Sequence, residues 1–257
     1  RRLFLLRTGF DAGLKILPTG CTIKTLKMAF PLLLNIIMML YTSTSSVAAV
    51  PVIPYLGQHD TGIKTDPFQV LKAKGVVFPV SRINWPEFPH KPDVKVYAGY
   101  TDEMLWLNFS VQNDYMRAHS VNDQDRVYED ACVEFFMHTG GDYRNFEFNC
   151  LGVCLSAIGP DRHSRNRLPE KELGRIIRIP SLCRENLPDE GTLCNWELTV
   201  GIPLSILGIQ KGNTFYGNFY KCGAKTRVLH YLSWAEIKTP KPDFHCPAFF
   251  PAIELDK

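Results

Sequence analysis

Short runs of alternating apolar and polar residues recur along most of the chain and constrain its fold more than any other feature. In an extended strand successive side chains point to opposite faces, so such a run can bury one face and expose the other. Gly, Asp, Asn and Pro separate the runs, as expected of turns between antiparallel strands. The pattern predicts an all-β fold, an antiparallel β-sandwich of jelly-roll type. The runs are VKVYAGY, EMLWLNFSV, ACVEFFMH, NFEFNCLGVCLSAI, NWELTVGIPL and TFYGNFYKC.

Two segments depart from this strand pattern. LPEKELGRIIRI places Leu173, Ile176 and Ile177 on one side of a helix and charges on the other, which predicts one short helix across an end of the sandwich. The C-terminal stretch SWAEIKTPKPDFHCPAFFPAIEL is rich in proline and aromatic residues. Because proline cannot donate to a strand ladder, this stretch is predicted to be a long ordered loop that ends in a last edge strand.

An apolar run that begins at Met28 follows two lysines, and small residues then provide a cleavage position after Ala49. The alternative is a transmembrane anchor, but a spanning helix needs about 20 apolar residues. This run is shorter and is interrupted by Pro31 and Asn35. The sequence therefore predicts a signal peptide over residues 28–49. The protein is expected to be secreted or periplasmic, with no stable membrane anchor after cleavage.

The rest of the chain divides into three parts. Residues 1–27 begin without Met and show no periodic pattern, so we interpret them as a non-native upstream segment. Residues 50–66 are rich in Pro, Gly and polar residues and are predicted to be an exposed leader. Residues 67–257 are long enough for one large β-sandwich domain. Lys and Arg (29) and Asp and Glu (26) are scattered rather than massed, so no nucleic-acid partner is indicated.

Cysteines and histidines form no recognisable metal-binding motif. The sequence contains no CxxC spacing and no HExxH cluster, which leaves a zinc site with little support. Beyond Cys21, seven cysteines remain. In an exported protein this odd number leaves at least one thiol free or paired between chains.

The stretch VYEDACVEFF, residues 127–136, alternates as a strand yet carries three carboxylates. Gly140 and Gly141 predict a tight hairpin turn, after which NFEFNC resumes the alternation. A turn centred between the glycines places Glu134 opposite Glu147, which we call the glutamate pair. Like charges in this position destabilise a sheet, so the pair needs a cation, a nearby Lys or Arg, a raised pKa or a donor-rich ligand. The same register pairs Phe135 with Phe146, Val133 with Phe148 and Ala131 with Cys150.

Three roles are open for these acids: catalysis, binding of a ligand or calcium, and solvated or salt-bridged structure. Asp130 and Glu134 lie about 13 Å apart along a strand, beyond the roughly 5 to 9.5 Å between glycosidase carboxylates, so they are not a catalytic dyad. The glutamate pair is close enough for acid–base chemistry, as in a glycoside hydrolase. Against this role, flat antiparallel strands predict no deep pocket, and no nucleophile elbow lies nearby.

Six motifs in series resemble the carbohydrate-binding family 9 modules, in particular the stand-alone bacterial subgroup, over about Ile83 to Ile253. The resemblance implies a β-sandwich, attached to xylanases or exported as a single domain, that binds sugars or plant-type oligosaccharides without cleaving them. It also implies a role in carbohydrate catabolism and, as in the xylanase-attached members, structural calcium. The motifs are INWPEFPHKPDVKVYAGYTDEMLWLNFSVQ, YEDACVEFF, NFEFNCLG, NWELTVGIPL, NFYKCG and LSWAEIKTPKPDFHCPAFF.

The xylanase-attached members hold sugar between two tryptophan rings, which directs attention to the four tryptophans of this chain. Trp106 and Trp196 lie within strand runs and are predicted to be buried or half-buried. Trp85 and Trp234 lie in loop-like contexts where a ring can stand clear of the sheet. These two are the preferred stacking pair, with simple packing at the rim as the alternative.

The shared motifs also imply polar contacts to sugar hydroxyls. Arg117 and Lys221 have an alternative role, because either could neutralise the glutamate pair. Residues 159–171, GPDRHSRNRLPEK, form a basic loop that we interpret as solvated surface, with approach to an acidic sugar such as a uronate as the alternative. The implied polar contacts are Arg117, Glu134, Glu147, Asn149, Asn218 and Lys221.

Two of the matched motifs contain Cys150 and Cys222, and the resemblance implies that neighbouring strands bring them together in a disulfide. Cys183 and Cys194 are candidates for a second bridge, which would close the loop between them.

A haem-binding electron-transfer sandwich is a further alternative, since related β-sandwich domains hold haem between Met and His. The candidate ligands are Met116, Met137, His119 and His138. No spacing in the sequence fixes their relative geometry.

Overall fold

The computed structural model describes residues 49–57 and 61–257. The predicted signal peptide, apart from Ala49, and the upstream segment 1–27 lie outside the described residues. Among the residues described, no helix has both the length and the apolar character needed to cross a membrane. Ala49 to Lys257 form one compact unit.

Fourteen strands in the described residues form two sheets packed face to face, which confirms the predicted β-sandwich. The large sheet has the order β1-β14-β12-β6-β7-β8-β9, with β13 also paired to β12 and β3 paired to β13, and the small sheet has the order β10-β11-β5-β4-β2. The strands of the large sheet are β1 Val52–Ile53, β3 Arg82–Ile83, β6 Cys132–His138, β7 Tyr143–Asn149, β8 Cys154–Gly159, β9 Asn166–Arg167, β12 Thr214–Gly223, β13 His230–Ser233 and β14 Ala252–Leu255. Those of the small sheet are β2 Val76–Pro79, β4 Asp93–Tyr100, β5 Met104–Tyr115, β10 Ile177–Pro180 and β11 Leu193–Pro203.

The main hydrophobic core lies between the two sheets and is filled by one face of each alternating run. Phe135 of β6 stacks on Phe219 of β12 with ring centroids 5.0 Å apart, and Phe219 contacts Phe109 of the small sheet. Burying each such side chain contributes about 1.5 to 3 kcal/mol, so this layer dominates the stability of the fold. Trp196 is fully buried here, as predicted. Trp106 is also buried, beneath the helix Pro67–Lys74.

A second apolar layer covers the outer face of the large sheet, the face turned away from the small sheet. Phe136 and Tyr220 point outward from β6 and β12 and contact each other edge to face at 5.0 Å. Residues 234–251, the C-terminal segment, fold over them, and Phe244 stacks on Tyr220 at 4.3 Å. The large sheet is therefore buried on both faces, which explains apolar residues at both parities of VEFFM.

The N-terminal strand corrects two predictions. Residues 50–66 are not simply an exposed leader, because Ile53 is fully buried and Leu56 nearly so. β1 pairs in parallel with β14, so the last strand is not an edge strand. Ile53 fills the core at the margin of the large sheet, whereas the prolines at positions 51 and 54 favoured the interpretation as a leader.

The helices also differ from the prediction of one short helix. The predicted segment forms only one helical turn, because Gly174 ends it and Ile177–Pro180 continues as strand β10. A 3-10 turn at Val127–Glu129 replaces the first part of the predicted strand 127–136, which begins at Cys132. The α-helices of the described residues are α1 Thr61–Thr65, α2 Pro67–Lys74, α3 Glu170–Leu173 and α4 Leu204–Leu207.

Candidate functional site

The predicted hairpin is confirmed, and with it the register of the glutamate pair. Glu134 of β6 lies directly opposite Glu147 of β7, between the apolar pairs Phe135–Phe146 and Val133–Phe148. The turn residues Gly140 and Gly141 have φ values of 108° and 82°, a backbone region that favours glycine. Both glutamates point to the outer face of the large sheet, where their residues are only 2% and 3% exposed.

The glutamate pair forms the floor of a cleft with a volume of about 470 Å³. The prediction that flat strands offer no deep pocket is wrong, because the basic loop and the C-terminal segment rise from the sheet as two walls. The sequence does not show that these two distant segments face each other. The lining comprises Tyr128, Glu134, Glu147, Leu155, Ala157, Arg162, His163, Arg165, Arg167, Cys222, Ala224, Tyr231, Pro242, Asp243, Phe244 and His245.

Burial controls the protonation of the glutamate pair. It raises the pKa of Glu147 to about 7, against the lowering effect of Arg165, Arg167 and Arg162. Burial, and then the charge of Glu147, raise the pKa of Glu134 well above its ordinary value. Near neutral pH the pair therefore holds at least one proton, which offers a ligand both a hydrogen-bond donor and an acceptor.

A relay of hydrogen bonds connects Glu147 to the basic loop. Asn145 Nδ2 donates to Glu147 Oε1 at 3.0 Å, and Arg165 Nη1 donates to Asn145 Oδ1 at 2.7 Å. The compensating cations are therefore the arginines of the basic loop. Of the two residues considered for this role, Arg117 pairs with Glu190 instead. Lys221 lies on the inner face of the sheet and forms an ion pair with Asp114 at 3.1 Å. Its charge still lowers the pKa of Glu134.

The basic loop forms the polar wall of the cleft, so its interpretation as solvated surface holds only in part. Arg165 is half-buried, and Arg162 lies 3.8 Å from Asp243 of the opposite wall. Arg167 Nη1 donates to Gln124 Oε1 at 3.0 Å. Burial, together with Arg165 and Arg162, lowers the pKa of His245 to about 3, so this imidazole is neutral at ordinary pH.

Aromatic rings form the other side of the cleft, and none of them is a tryptophan. Tyr128 and Tyr231 are half-buried, while Phe244 is held against Tyr220 and approaches Tyr231 with ring centroids 6.2 Å apart. Sequence reasoning missed these rings because it considered tryptophans alone. Their signal was present, since Tyr128 begins the motif that contains Glu134.

The predicted stacking pair is not a pair in the structure. Trp85 is 3% exposed, and its Nε1 donates to Thr239 O at 2.9 Å. Trp234 packs edge-on against Phe78 at 4.8 Å, at the margin of the main core. The prediction that both rings stand clear of the sheet is wrong, because the C-terminal segment covers Trp85, and Trp234 packs half-buried at the margin of the main core.

The predicted asparagines lie beside the cleft rather than in its lining. Asn149 Nδ2 donates to Asp130 Oδ2 at 3.1 Å, and its Oδ1 accepts from Val153 N. Asn218 Oδ1 accepts from Ala235 N at 2.9 Å, which fixes the start of the C-terminal segment. Both side chains are fully buried and anchor loops around the site.

Arg117 lies at a different site from the glutamate pair. Its Nη1 donates to Glu190 Oε1 at 2.7 Å and its Nε donates to Glu129 O at 3.0 Å. It lines a separate cleft with His119 and Asp130. The structure therefore does not bring Arg117 together with the other predicted polar contacts.

The predicted disulfides do not form, since all seven cysteines in the described part of the chain are free thiols. Cys150 points into the main core beside Met116, whereas Cys222 points to the outer face opposite Cys132. The large sheet separates the predicted partners. Cys183 and Cys194 are likewise free.

The haem alternative gains no support from the positions of its candidate ligands. Met116 and Met137 are buried in the main core. His119 pairs with Glu190, and His138 stacks on Tyr216 with ring centroids 5.2 Å apart.

Comparison with known proteins places these features in a family. The sequence profile of carbohydrate-binding family 9 matches residues 65–255. A structure of a protein from Bacteroides uniformis, assigned as carbohydrate-binding, is 33% identical, with a TM-score of 0.73 over 81% of this chain and 100% of that one. A family 9 module from Caldicellulosiruptor kristjanssonii, solved in complex with cellotriose, shares the fold at 12% identity and a TM-score of 0.51, over 79% and 92% of the two chains. No curated protein matches the chain significantly.

The fold, the profile match and the 33% identical relative define the class as a β-sandwich that binds carbohydrate and is not an enzyme. The chain belongs to carbohydrate-binding family 9. This confirms the resemblance read from its motifs. The glycoside hydrolase and haem alternatives find no support in the comparisons.

Proposed function

We propose that the cleft above the glutamate pair is the sugar site of an exported, non-catalytic binding protein. The observation that carries this proposal is the convergence of a proton-sharing acid pair, three arginines and three aromatic rings on one cavity of about 470 Å³. A cavity of this size lies within the usual range of small-molecule sites. It suits a monosaccharide or one end of an oligosaccharide, such as a plant-type glycan.

Each part of the cleft matches a part of a sugar ring. Sugar hydroxyls both donate and accept, and the glutamate pair offers one protonated and one ionised oxygen to meet them. The guanidinium groups of the basic loop donate to ring and hydroxyl oxygens. Tyr128, Tyr231 and Phe244 provide apolar surface for the CH face of the ring.

The arrangement favours binding over hydrolysis. Glycosidases place two carboxyl groups on either side of the scissile bond. Here Glu134 and Glu147 are neighbours on adjacent strands of one floor, so both approach a ligand from the same side. A pair placed in this way can hold a hydroxyl but cannot act as acid on one face and nucleophile on the other.

The basic loop extends the range of ligands to acidic sugars. Arg162, Arg165 and Arg167 line one wall, and among the described residues Arg162 alone of the three forms an ion pair, with Asp243 at 3.8 Å. A uronate carboxylate in this position would form charge-assisted hydrogen bonds with a guanidinium group. We propose that uronate-bearing oligosaccharides are among the ligands.

Export, a role in carbohydrate catabolism and structural calcium complete the proposal. The apolar run after Met28 supports export, and cell fractionation with detection of the processed chain tests it.

Calcium takes six to eight oxygen ligands. The described carboxylates of Asp125 and Asp130 already accept backbone N–H groups, so we assign no calcium position to them. Sugar binding with and without a chelator tests the requirement for calcium.

The decisive experiment is calorimetry on ligands found with a glycan array, with Glu147→Gln as the test variant. Loss of the shared proton should weaken sugar binding at least tenfold, while the sugar is recovered uncleaved. Glu254→Gln, on the distant strand β14, is the matched control and should bind as the wild type does. Unchanged affinity in Glu147→Gln, or release of cleaved sugar, would contradict the proposal.

A further inference from the structure

A second polar cluster, unconnected with the cleft, lies between the two sheets where β5 ends and β13 begins. It brings together His90 from the loop before β4, Asp114 of β5 and His230 of β13, with their ligand atoms all within 4.8 Å of one another. Asp114 and His230 are fully buried. His90 Nε2, Asp114 Oδ1 and His230 Nε2 are buried atoms without a hydrogen-bond partner in the described structure. A buried polar atom left unpaired is costly, so three that converge need an explanation.

The hydrogen bond of His230 identifies which of its ring nitrogens carries the proton. Its Nδ1 lies 2.8 Å from Val228 O, and a carbonyl can only accept, so Nδ1 carries the proton. In the neutral ring with this tautomer the lone pair is on Nε2, which lies 3.3 Å from Asp114 Oδ1. Two acceptors in this position need a cation between them.

The outer contacts of the cluster match those of metal ligands. A metal-binding histidine usually donates its other N–H to a carbonyl, and a metal-binding carboxylate is itself hydrogen-bonded. His230 meets the first condition through Val228 O. Asp114 meets the second, because its Oδ2 accepts from Trp196 Nε1 at 2.9 Å and lies 3.1 Å from Lys221 Nζ.

The backbone also makes room for the His230 ring. A Cβ at Gly223 would lie 2.2 Å from His230 Cε1, so the ring occupies space that only glycine leaves free. The His90 ring packs edge-on against it, with centroids 4.9 Å apart.

We propose that His90, Asp114 and His230 bind a divalent transition-metal ion, with Zn²⁺ as the reference case. Zinc binds imidazole nitrogen and carboxylate oxygen at about 2.0 to 2.2 Å, and two such bonds to atoms 3.3 Å apart enclose an angle of about 104° at the ion, close to tetrahedral. The half-buried His90 closes by roughly 1 to 1.5 Å to complete the three ligands. A fourth position is left for water.

Lys221 sets the strength of this site. Its ammonium group lies on the Oδ2 side of Asp114 and also donates to Cys222 O at 2.8 Å, so it does not occupy the position between Oδ1 and the imidazoles. Its charge nevertheless opposes a dication. The site is therefore expected to bind more weakly than a structural zinc site with thiolate ligands.

The test is equilibrium dialysis of the chelator-treated full chain against ZnCl₂, with metal counted by mass spectrometry and affinity measured by calorimetry. Wild type and the control His119→Gln, at an exposed histidine outside the cleft lining, should bind one Zn²⁺ with equal affinity. His90→Gln should lose at least tenfold, since even outer partners of metal ligands usually account for 10- to 100-fold. His90 is only half-buried, so this variant should fold, which circular dichroism checks.

A spectroscopic measurement covers the case in which the variant does not fold. In the wild type, Zn²⁺ should shift the ¹⁵N resonances of His90 Nε2 and His230 Nε2 and leave His230 Nδ1 protonated. Absence of bound metal, unchanged affinity in His90→Gln, or unshifted Nε2 resonances would overturn the proposal. None of these measurements depends on sugar binding.

Discussion

Glu134 lies directly opposite Glu147 on neighbouring strands, with both side chains buried at the floor of one cleft. Two ionised carboxylates cannot occupy such a position without a large cost in desolvation and repulsion. The fold tolerates them because the pair retains a proton, and because the hydrogen bonds of Asn145 link Glu147 to the guanidinium group of Arg165.

The raised pKa of Glu147 predicts that the contribution of this residue to stability falls as pH rises. The ordinary pKa of Glu147 is 4.5 and the folded value is about 7, so between these values the folded state binds more protons than the unfolded state. The contribution of Glu147 to the free energy of unfolding should therefore be greatest below about pH 4.5. It should fall by about 3 kcal/mol by pH 8. Urea unfolding at pH 5 and pH 8 measures this difference. His245, whose folded pKa is about 3, acts in the opposite direction over this range, so the effect of Glu147 is measured as the difference between wild type and Glu147→Gln. As pH rises, the wild type should lose more stability, or gain less, than the variant, and an equal pH dependence in the two proteins would contradict the prediction.

Arg165 is expected to control the protonation of the glutamate pair. Arg165→Met removes the cation that most lowers the pKa of Glu147, so that pKa should rise above 7. Titration of the carboxyl ¹³C resonances by NMR measures the shift. Arg126→Met, which removes an exposed arginine paired with Glu129, is the control and should leave the titration unchanged. An unchanged titration in Arg165→Met would refute the relay through Asn145.

Tyr231 is expected to contribute to sugar binding as well as to the packing of the outer layer, where its ring contacts Phe88 edge to face at 5.0 Å. Its ring is half-buried in the cleft wall, so Tyr231→Ala should weaken sugar binding about three- to tenfold through lost stacking, which is about 0.5 to 1.5 kcal/mol. Calorimetry gives the affinity, and thermal unfolding gives the stability. Tyr216→Ala, at an exposed tyrosine outside the cleft lining, is the control and should leave the affinity for sugar unchanged. Equal affinities of Tyr231→Ala and wild type would show that this ring does not contact the sugar.

Cysteine reactivity is expected to follow burial. Burial raises the pKa of Cys150 to about 12 and that of Cys222 well above its ordinary value, so both should resist iodoacetamide in the native protein while exposed Cys183 reacts. After denaturation without reductant, both should alkylate fully, and peptide mapping counts the labels. A peptide linking Cys150 to Cys222 would contradict the structure.

The sandwich and the hairpin register were predictable because each depends on local pattern. Alternation identifies the strands, and Gly140 with Gly141 centres the turn, so Glu134 must face Glu147. The cleft was not predictable in the same way. Its walls come from segments about 80 residues apart, and alternation alone does not reveal that the outer face of the large sheet is covered.

The tryptophan prediction failed for a related physical reason. A proline-adjacent loop position indicates that a ring can leave the sheet, but not whether another segment will cover it. Trp85 is covered by residues that follow it by about 150 positions, and this packing contributes stability rather than a binding surface. The rings that line the cleft are tyrosine and phenylalanine, which occur too often in the chain to be distinguished by composition.

The main core stabilises the fold and the two cleft walls contact the ligand, and this separation has an evolutionary consequence. The inner face of the large sheet holds the sandwich together, while the basic loop and the C-terminal segment stand on its outer face and meet the ligand. Substitutions in either wall can therefore alter which glycan is recognised while the interior remains intact. Descendants of one scaffold can diversify their ligands by exchanging short stretches of sequence, much as antibodies vary loops on a constant framework.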